Sequence, residues 1–183
     1  HFDHAGGRAR RQQATGAQVI VGARDRDAVE TGVPPGETSY GVIRFAPVKV
    51  DRAVRDGDTV TLGGVTLTAV STPGHTPGCT SWMMRVPVAG KPETVLFTGS
   101  LEVAGNKLVG NRRYPEIVKD FRQTFQRLAR MHVDVTLPFH PERADLLPRA
   151  WRGQVIDPTI FPNLVSKAAR DFEVELKRQE HGA

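Results

Sequence analysis

The apolar positions of this 183-residue chain change period several times, and each change predicts an element. Ala17 to Gly22 is a near-continuous apolar run, the pattern of a buried strand. Thr59-Val60-Thr61-Leu62 and Val65-Thr66-Leu67-Thr68-Ala69-Val70 alternate on either side of Gly63-Gly64, which predicts a β-hairpin with a two-residue corner. Thr80 to Val86, Thr94 to Phe97 and Val133 to Leu137 read as three further strands.

Elsewhere the period lengthens to that of a helix. Ile117, Val118, Phe121, Phe125 and Leu128 recur at three- and four-residue spacing, predicting a helix over Tyr114 to Met131 with one buried stripe. Leu164, Val165, Ala168, Phe172 and Leu176 do the same for a closing helix over Pro158 to Gln179. Gly7 to Thr15 reads as a short basic helix, and Asp25 to Thr31 as another, ended by Gly32-Val33-Pro34-Pro35-Gly36. The chain from there to Val54 is loop-rich and extended. Strands alternating with helices predict an α/β layered fold, taken here as one domain over residues 1–183.

Composition narrows the class. Hydrophobic residues at 39% and charged residues at 25% are ordinary for a globular protein, and no apolar run reaches membrane-spanning length, so no membrane partner is expected. The single cysteine, Cys79, excludes an internal disulfide framework and a Cys-rich zinc ribbon, and its place at a strand start reads as a small buried hydrophobe. A net charge of +5 permits nucleic-acid binding, but the basic residues are scattered. The one concentration, Arg8, Arg10 and Arg11, lacks interleaved aromatics for base stacking, so no nucleic-acid partner is expected.

Chemistry concentrates in three histidine-bearing segments. His1-Phe2-Asp3-His4-Ala5-Gly6-Gly7 packs three metal-ligating side chains into four residues, read as a polar turn. Pro73-Gly74-His75-Thr76-Pro77-Gly78 follows the second hairpin arm, and Phe139-His140-Pro141 follows the strand at Val133. Loops at strand ends are where layered α/β folds assemble sites from distant residues. Two Pro and two Gly stiffen a turn that presents the His75 imidazole, which favours a metal ligand over a structural core histidine. His140 by itself fits either role. His132 reads as a cap on the C-terminal end of a helix dipole, and His181 as a solvated tail residue.

Together these motifs resemble the metallo-β-lactamase-fold hydrolases, most closely subclass B3. The family's first motif is His-x-His-x-Asp-His, and His1, Asp3 and His4 match its last three ligands. His75 and His140 match the two later ones. The likeness extends through Pro47 to Asp51, Asp56 to Val60, Leu62 to Val65, Phe97-Thr98-Gly99-Ser100-Leu101, Gly110-Asn111 with Tyr114-Pro115, and the closing helix. It implies an αββα sandwich with two zinc ions (Zn2+) along one sheet edge, the first held by His1 and His75 together with the family's leading His, the second by Asp3, His4 and His140. Ser100 is the discriminator within the superfamily. Thioesterases, lactonases and nucleases of this fold usually place a metal-bridging Asp there and B1 enzymes a Cys, whereas a neutral hydroxyl looks like the B3 pattern.

The implied reaction is attack by zinc-bound hydroxide on the strained amide of a β-lactam antibiotic, with Asp3 also orienting the attacking group. Ser100, Glu102 and Asn106 would contact substrate, or serve as plain turn residues. Commoner B3 patterns have a small hydroxyl residue near Glu102 and a Tyr near Asn106, and an inward Glu102 would repel an anionic substrate. The family's leading His would lie two residues before His1. The 183 residues are therefore expected to be part of a longer periplasmic or secreted enzyme, with apolar sheet edges exposed, and to be inactive alone. The alternatives are another hydrolase of the fold, acting on a lactone, thioester or phosphodiester, or an inert zinc-binding fragment.

Overall fold

A five-stranded sheet organises most of the molecule. The computed structural model describes residues 1–182. The sheet contains β3 (Thr59–Leu62), β4 (Val65–Ser71), β5 (Thr80–Val88), β6 (Lys91–Thr98) and β7 (Val135–Pro138) in that spatial order, after β1 and β2 described below. The β3–β4 hairpin is the one the alternation predicts, pairing Leu62 with Val65 across Gly63-Gly64, whose φ angles of 56° and 80° suit a primed turn. The next two pairings are antiparallel and β6–β7 is parallel. It follows that β4, β6 and β7 run in one direction. The chain leaves all three at the same sheet edge, towards His75, Ser100 and His140 respectively.

Helices α4 (Ile117–Leu128) and α6 (Ile160–His181) cover this sheet. The predicted stripe buries Ile117, Phe121, Phe125 and Leu128 with Phe161, Val165, Phe172 and Leu176 against Val70 and Leu96. Phe121, Phe125 and Phe172 form a ring triad with centroids 5.0–5.8 Å apart, a spacing that adds to plain area burial. Fully burying each such side chain contributes about 1.5–3 kcal/mol, so this layer holds the sheet edge in place.

A second apolar cluster, Val21, Val29, Val48 and Val50, joins β1 (Ile20–Gly22) to α3 (Arg26–Thr31). The remaining helices are α1 (Phe2–Ala5), α2 (Arg8–Thr15) and α5 (Leu146–Trp151), with 3-10 turns at Ala23–Asp25 and Pro141–Ala144. Among the described residues no helix is long and apolar enough to cross a membrane.

Several boundaries differ from expectation. The strand expected over Ala17 to Gly22 shrinks to three residues, because only Ile20, Val21 and Gly22 pair in register, with β2 (Arg52–Val54) at the end of the stretch expected to be loop-rich and extended. The opening His-x-Asp-His segment is one helical turn: Ala5 N–H reaches the His1 carbonyl at 3.1 Å and Gly6 N–H the Phe2 carbonyl at 2.7 Å. The helix expected to reach Met131 ends at Leu128. His132 is therefore no dipole cap; its Nε2 lies 2.8 Å from Asp134 Oδ1. His181 closes α6, exposed, with Nδ1 2.6 Å from the Lys177 carbonyl.

Candidate metal centre

Four imidazoles form a row at the sheet edge. Centroid separations are 4.1 Å for His1–His75, 5.2 Å for His75–His4 and 5.2 Å for His4–His140. Three segments widely separated in sequence thus converge on one corner.

His75 is the most firmly held. It is only 5% exposed, and its Nδ1 donates to the Glu102 carbonyl at 2.9 Å. A carbonyl can only accept, so the proton sits on Nδ1 and Nε2 keeps its lone pair. Burial lowers the His75 pKa to about 3, which keeps the ring in the neutral, ligating form. The turn around it is tied from several sides. Asn106 Nδ2 donates to the His75 carbonyl at 3.0 Å and Thr124 Oγ1 to the Pro73 carbonyl at 2.7 Å.

Asp25 clasps the same turn. It accepts from Thr76 Oγ1 at 2.5 Å and from Gly78 N at 2.7 Å. The approach leaves no room for a side chain: a Cβ on Gly78 would lie 2.5 Å from Asp25 N. Burial pushes the Asp25 carboxyl up, against the lowering effect of the two hydrogen bonds. Nothing in the sequence singles out Asp25, since one acid in a run of alternating charges carries no period.

Asp3, His4 and His140 each offer a ligand atom, and those atoms lie within 4.8 Å of one another. Asp3 Oδ2 is 3.3 Å from His4 Nε2 and 3.6 Å from His140 Nε2. The first of these contacts lacks hydrogen-bond alignment, so His4 Nε2 is left buried without a partner, as is His75 Nε2. An unsatisfied buried nitrogen costs about 1–3 kcal/mol. Divalent cations accepting these lone pairs would remove that cost, and the imidazole–carboxylate donor set suits zinc. The residues present fit such a metal. Burial also lowers the His4 pKa, keeping it neutral.

His1 stands beside this group without a free nitrogen. Its Nε2 is 3.2 Å from Asn106 Oδ1 and its Nδ1 3.0 Å from the Tyr40 hydroxyl. Because Oδ1 accepts, Nε2 carries the proton, so neither nitrogen is presented to a cation in this arrangement. Tyr40 was invisible to motif reading because it comes from the extended stretch before β2.

Two hollows meet at Ser100. A cavity of about 120 Å³ is lined by His1, His4, His75, Asp25 and Ser100. A larger cleft of about 480 Å³ runs from Ser100–Gly105 past Phe139, His140 and Arg143 to α6. Ser100 Oγ accepts from Glu102 N at 3.4 Å, and its own proton has no acceptor among the described residues. Glu102 lines the cleft, but its carboxylate is ion-paired with Arg143, a partner that sequence reading missed. Asn106 takes the second of its two expected roles, that of a turn residue. It is buried and its amide donor is committed to His75, so it supports the turn and does not face the cleft. Cys79 is buried, with its pKa raised to about 12 by burial, and acts as the expected small hydrophobe.

Comparison with known proteins identifies the family and the fold. The profile of the metallo-beta-lactamase superfamily matches residues 1–140. A subclass B3 metallo-beta-lactamase of Bradyrhizobium japonicum is 40% identical, with a TM-score of 0.90 over 97% of this chain and 69% of that one. A subclass B3 metallo-beta-lactamase from a soil metagenome library is 28% identical, with a TM-score of 0.92 over 100% of this chain and 74% of that one. Among curated relatives, a hydroxyacylglutathione hydrolase of Hyphomonas neptunium is 40% identical over 78 residues, 43% of this chain. The matches span only 23–32% of the curated relatives' own length.

Proposed function

This chain belongs to the metallo-beta-lactamase superfamily and carries its hydrolase fold, and from that premise we propose that it opens the cyclic amide of β-lactam antibiotics with two zinc ions at the histidine corner. The observation that carries the reading is Ser100. It sits at the seam of both hollows, where a bridging Asp or a ligating Cys would otherwise stand. A neutral hydroxyl there leaves the second cation to Asp3, His4 and His140, the trio whose ligand atoms converge.

His75 Nε2 would hold the first cation, joined by His1 once its Nε2 exchanges Asn106 for metal. Zinc, when bound, supplies Lewis acidity and acidifies a water molecule near neutral pH. The protein's own groups then set direction. Asp3 places a carboxylate oxygen between His4 and His140, where it can accept a proton from the attacking water and fix its approach. Ser100 can donate its unused hydroxyl proton to a substrate carboxylate. The cleft between the Ser100 loop and α6 supplies apolar walls at Leu101, Val103, Leu164 and Phe172 for the rest of the substrate.

A second reading, hydrolysis of a glutathione thioester, is favoured by the curated relatives' names over 43% of this chain. Turnover of penicillin, cephalosporin, lactone and acylglutathione substrates by the zinc-loaded full-length protein separates the two. Expected is β-lactam cleavage that stops on chelation and returns with zinc. Thioester cleavage without β-lactam cleavage would overturn the first reading.

A further inference from the structure

The cleft beside Ser100 has a cation that nothing above employs. Arg143 lies three residues beyond His140 on the 3-10 turn Pro141–Ala144, and its guanidinium faces the cleft half-exposed. Its Nε contacts Glu102 Oε1, and no other carboxylate pairs with it among the described residues. The other cation of the cleft, Lys167, is already paired along its own helix with Asp171 at 2.5 Å. Glu142, the residue before it on the turn, also lines the cleft and lies 3.6 Å from His140 Nδ1.

We infer that Arg143 is a charged anchor for a substrate carboxylate, additional to the neutral Ser100 hydroxyl in the same cleft, and that Glu102 is its resident competitor, an internal anion an incoming acid must displace. Glu102 has two ends in this arrangement. Its carbonyl takes the His75 Nδ1 proton, and its side chain occupies the guanidinium one loop away. A guanidinium recognises a carboxylate through two parallel N–H donors, which a substrate acid can satisfy as well as Glu102 does. The pair is partly exposed, so exchange of one carboxylate for another is cheap, and the competition tunes affinity without abolishing it. The inward-facing acid expected to repel anions is thereby neutralised at rest. It discriminates against substrates whose carboxylate cannot reach Arg143.

This inference rests on the β-lactam reading, and its test is built to fail separately. The readout is the KM of an uncharged β-lactam ester divided by the KM of the parent acid. Freeing the anchor in Glu102→Gln should raise that ratio about three- to fivefold. Removing it in Arg143→Gln should lower the ratio about tenfold. In the double variant the ratio should stay below the parent's, because relieving the repulsion of an unpaired Glu102 does not restore the lost anchor. A double variant whose ratio rises above the parent's, or a ratio unmoved by both single changes, overturns the proposal. If the protein cleaves lactones or thioesters instead, the β-lactam reading fails, while the same ester-to-acid ratio on those substrates still decides the anchor. Calorimetric titration of the zinc-loaded variants with the hydrolysed acid gives the ordering without turnover. Equal affinity in all three proteins contradicts it.

Discussion

The two halves of the histidine corner are built differently. His75 sits in a turn that the protein holds by itself, through Asp25, Asn106, Thr124 and the Glu102 carbonyl, and it is almost wholly buried. Asp3 and His4 ride on a helix of only four residues, with the Asp3 side chain 58% exposed. One half is organised by the fold before any ligand arrives, while the other has its donor atoms near one another but few bonds to keep them there. A metal would therefore do different work on the two sides. At His75 it would find a fixed nitrogen; at Asp3 and His4 it would supply the missing ties.

The largest expected effect comes from the prebuilt half. His75→Ala should lower kcat/KM of the zinc-loaded protein by more than a hundredfold, beyond the roughly 10–100-fold typical of losing an outer partner of a ligand. A smaller loss measured in steady-state assays would mean that the turn is not where the chemistry lies.

Next in size is the clasp. Asp25→Ala strands the Thr76 hydroxyl and the Gly78 amide, and should cost about 2–3 kcal/mol in urea unfolding of the metal-free protein. By contrast, Asp3→Ala should change metal-free stability by less than about 0.5 kcal/mol, because its side chain is mostly solvated. Equal costs at the two positions would erase the distinction between the halves.

The smallest effect is at Cys79, behind the turn. Buried and with its pKa pushed up to about 12, it holds its proton at any ordinary pH. The thiolate needed for reaction is scarce below that value and grows only as pH approaches it. Thiol titration with Ellman's reagent at pH 8 should find no fast-reacting group in the native protein and one after denaturation. Rapid native labelling would show that the turn opens freely.

Much of the prebuilt half was legible in the sequence, because its cause is local. Proline and glycine fix the turn at residues 73–78, and alternation fixes the hairpin that delivers it. The parallel run of β4, β6 and β7, which brings Ser100 and His140 to the same edge, depends on strand order that periodicity does not encode. The clasp was hidden for the same reason: Asp25 and Gly78 are 53 residues apart, and neither has a pattern of its own. Asn106 stayed open between substrate contact and turn support because an amide suits a substrate as readily as a backbone carbonyl, and only packing decides between them. The His132 expectation failed on a helix end, which moved by three residues and took the dipole away.

Zinc content after dialysis tests the convergence of the three segments most directly. Metal analysis of the full-length protein should find close to two zinc ions per chain, and close to one in His140→Ala, which removes a ligand of the trio while leaving the His75 turn intact. The same zinc content in both proteins, or none in the parent, would contradict a metal centre assembled from Asp3, His4, His75 and His140.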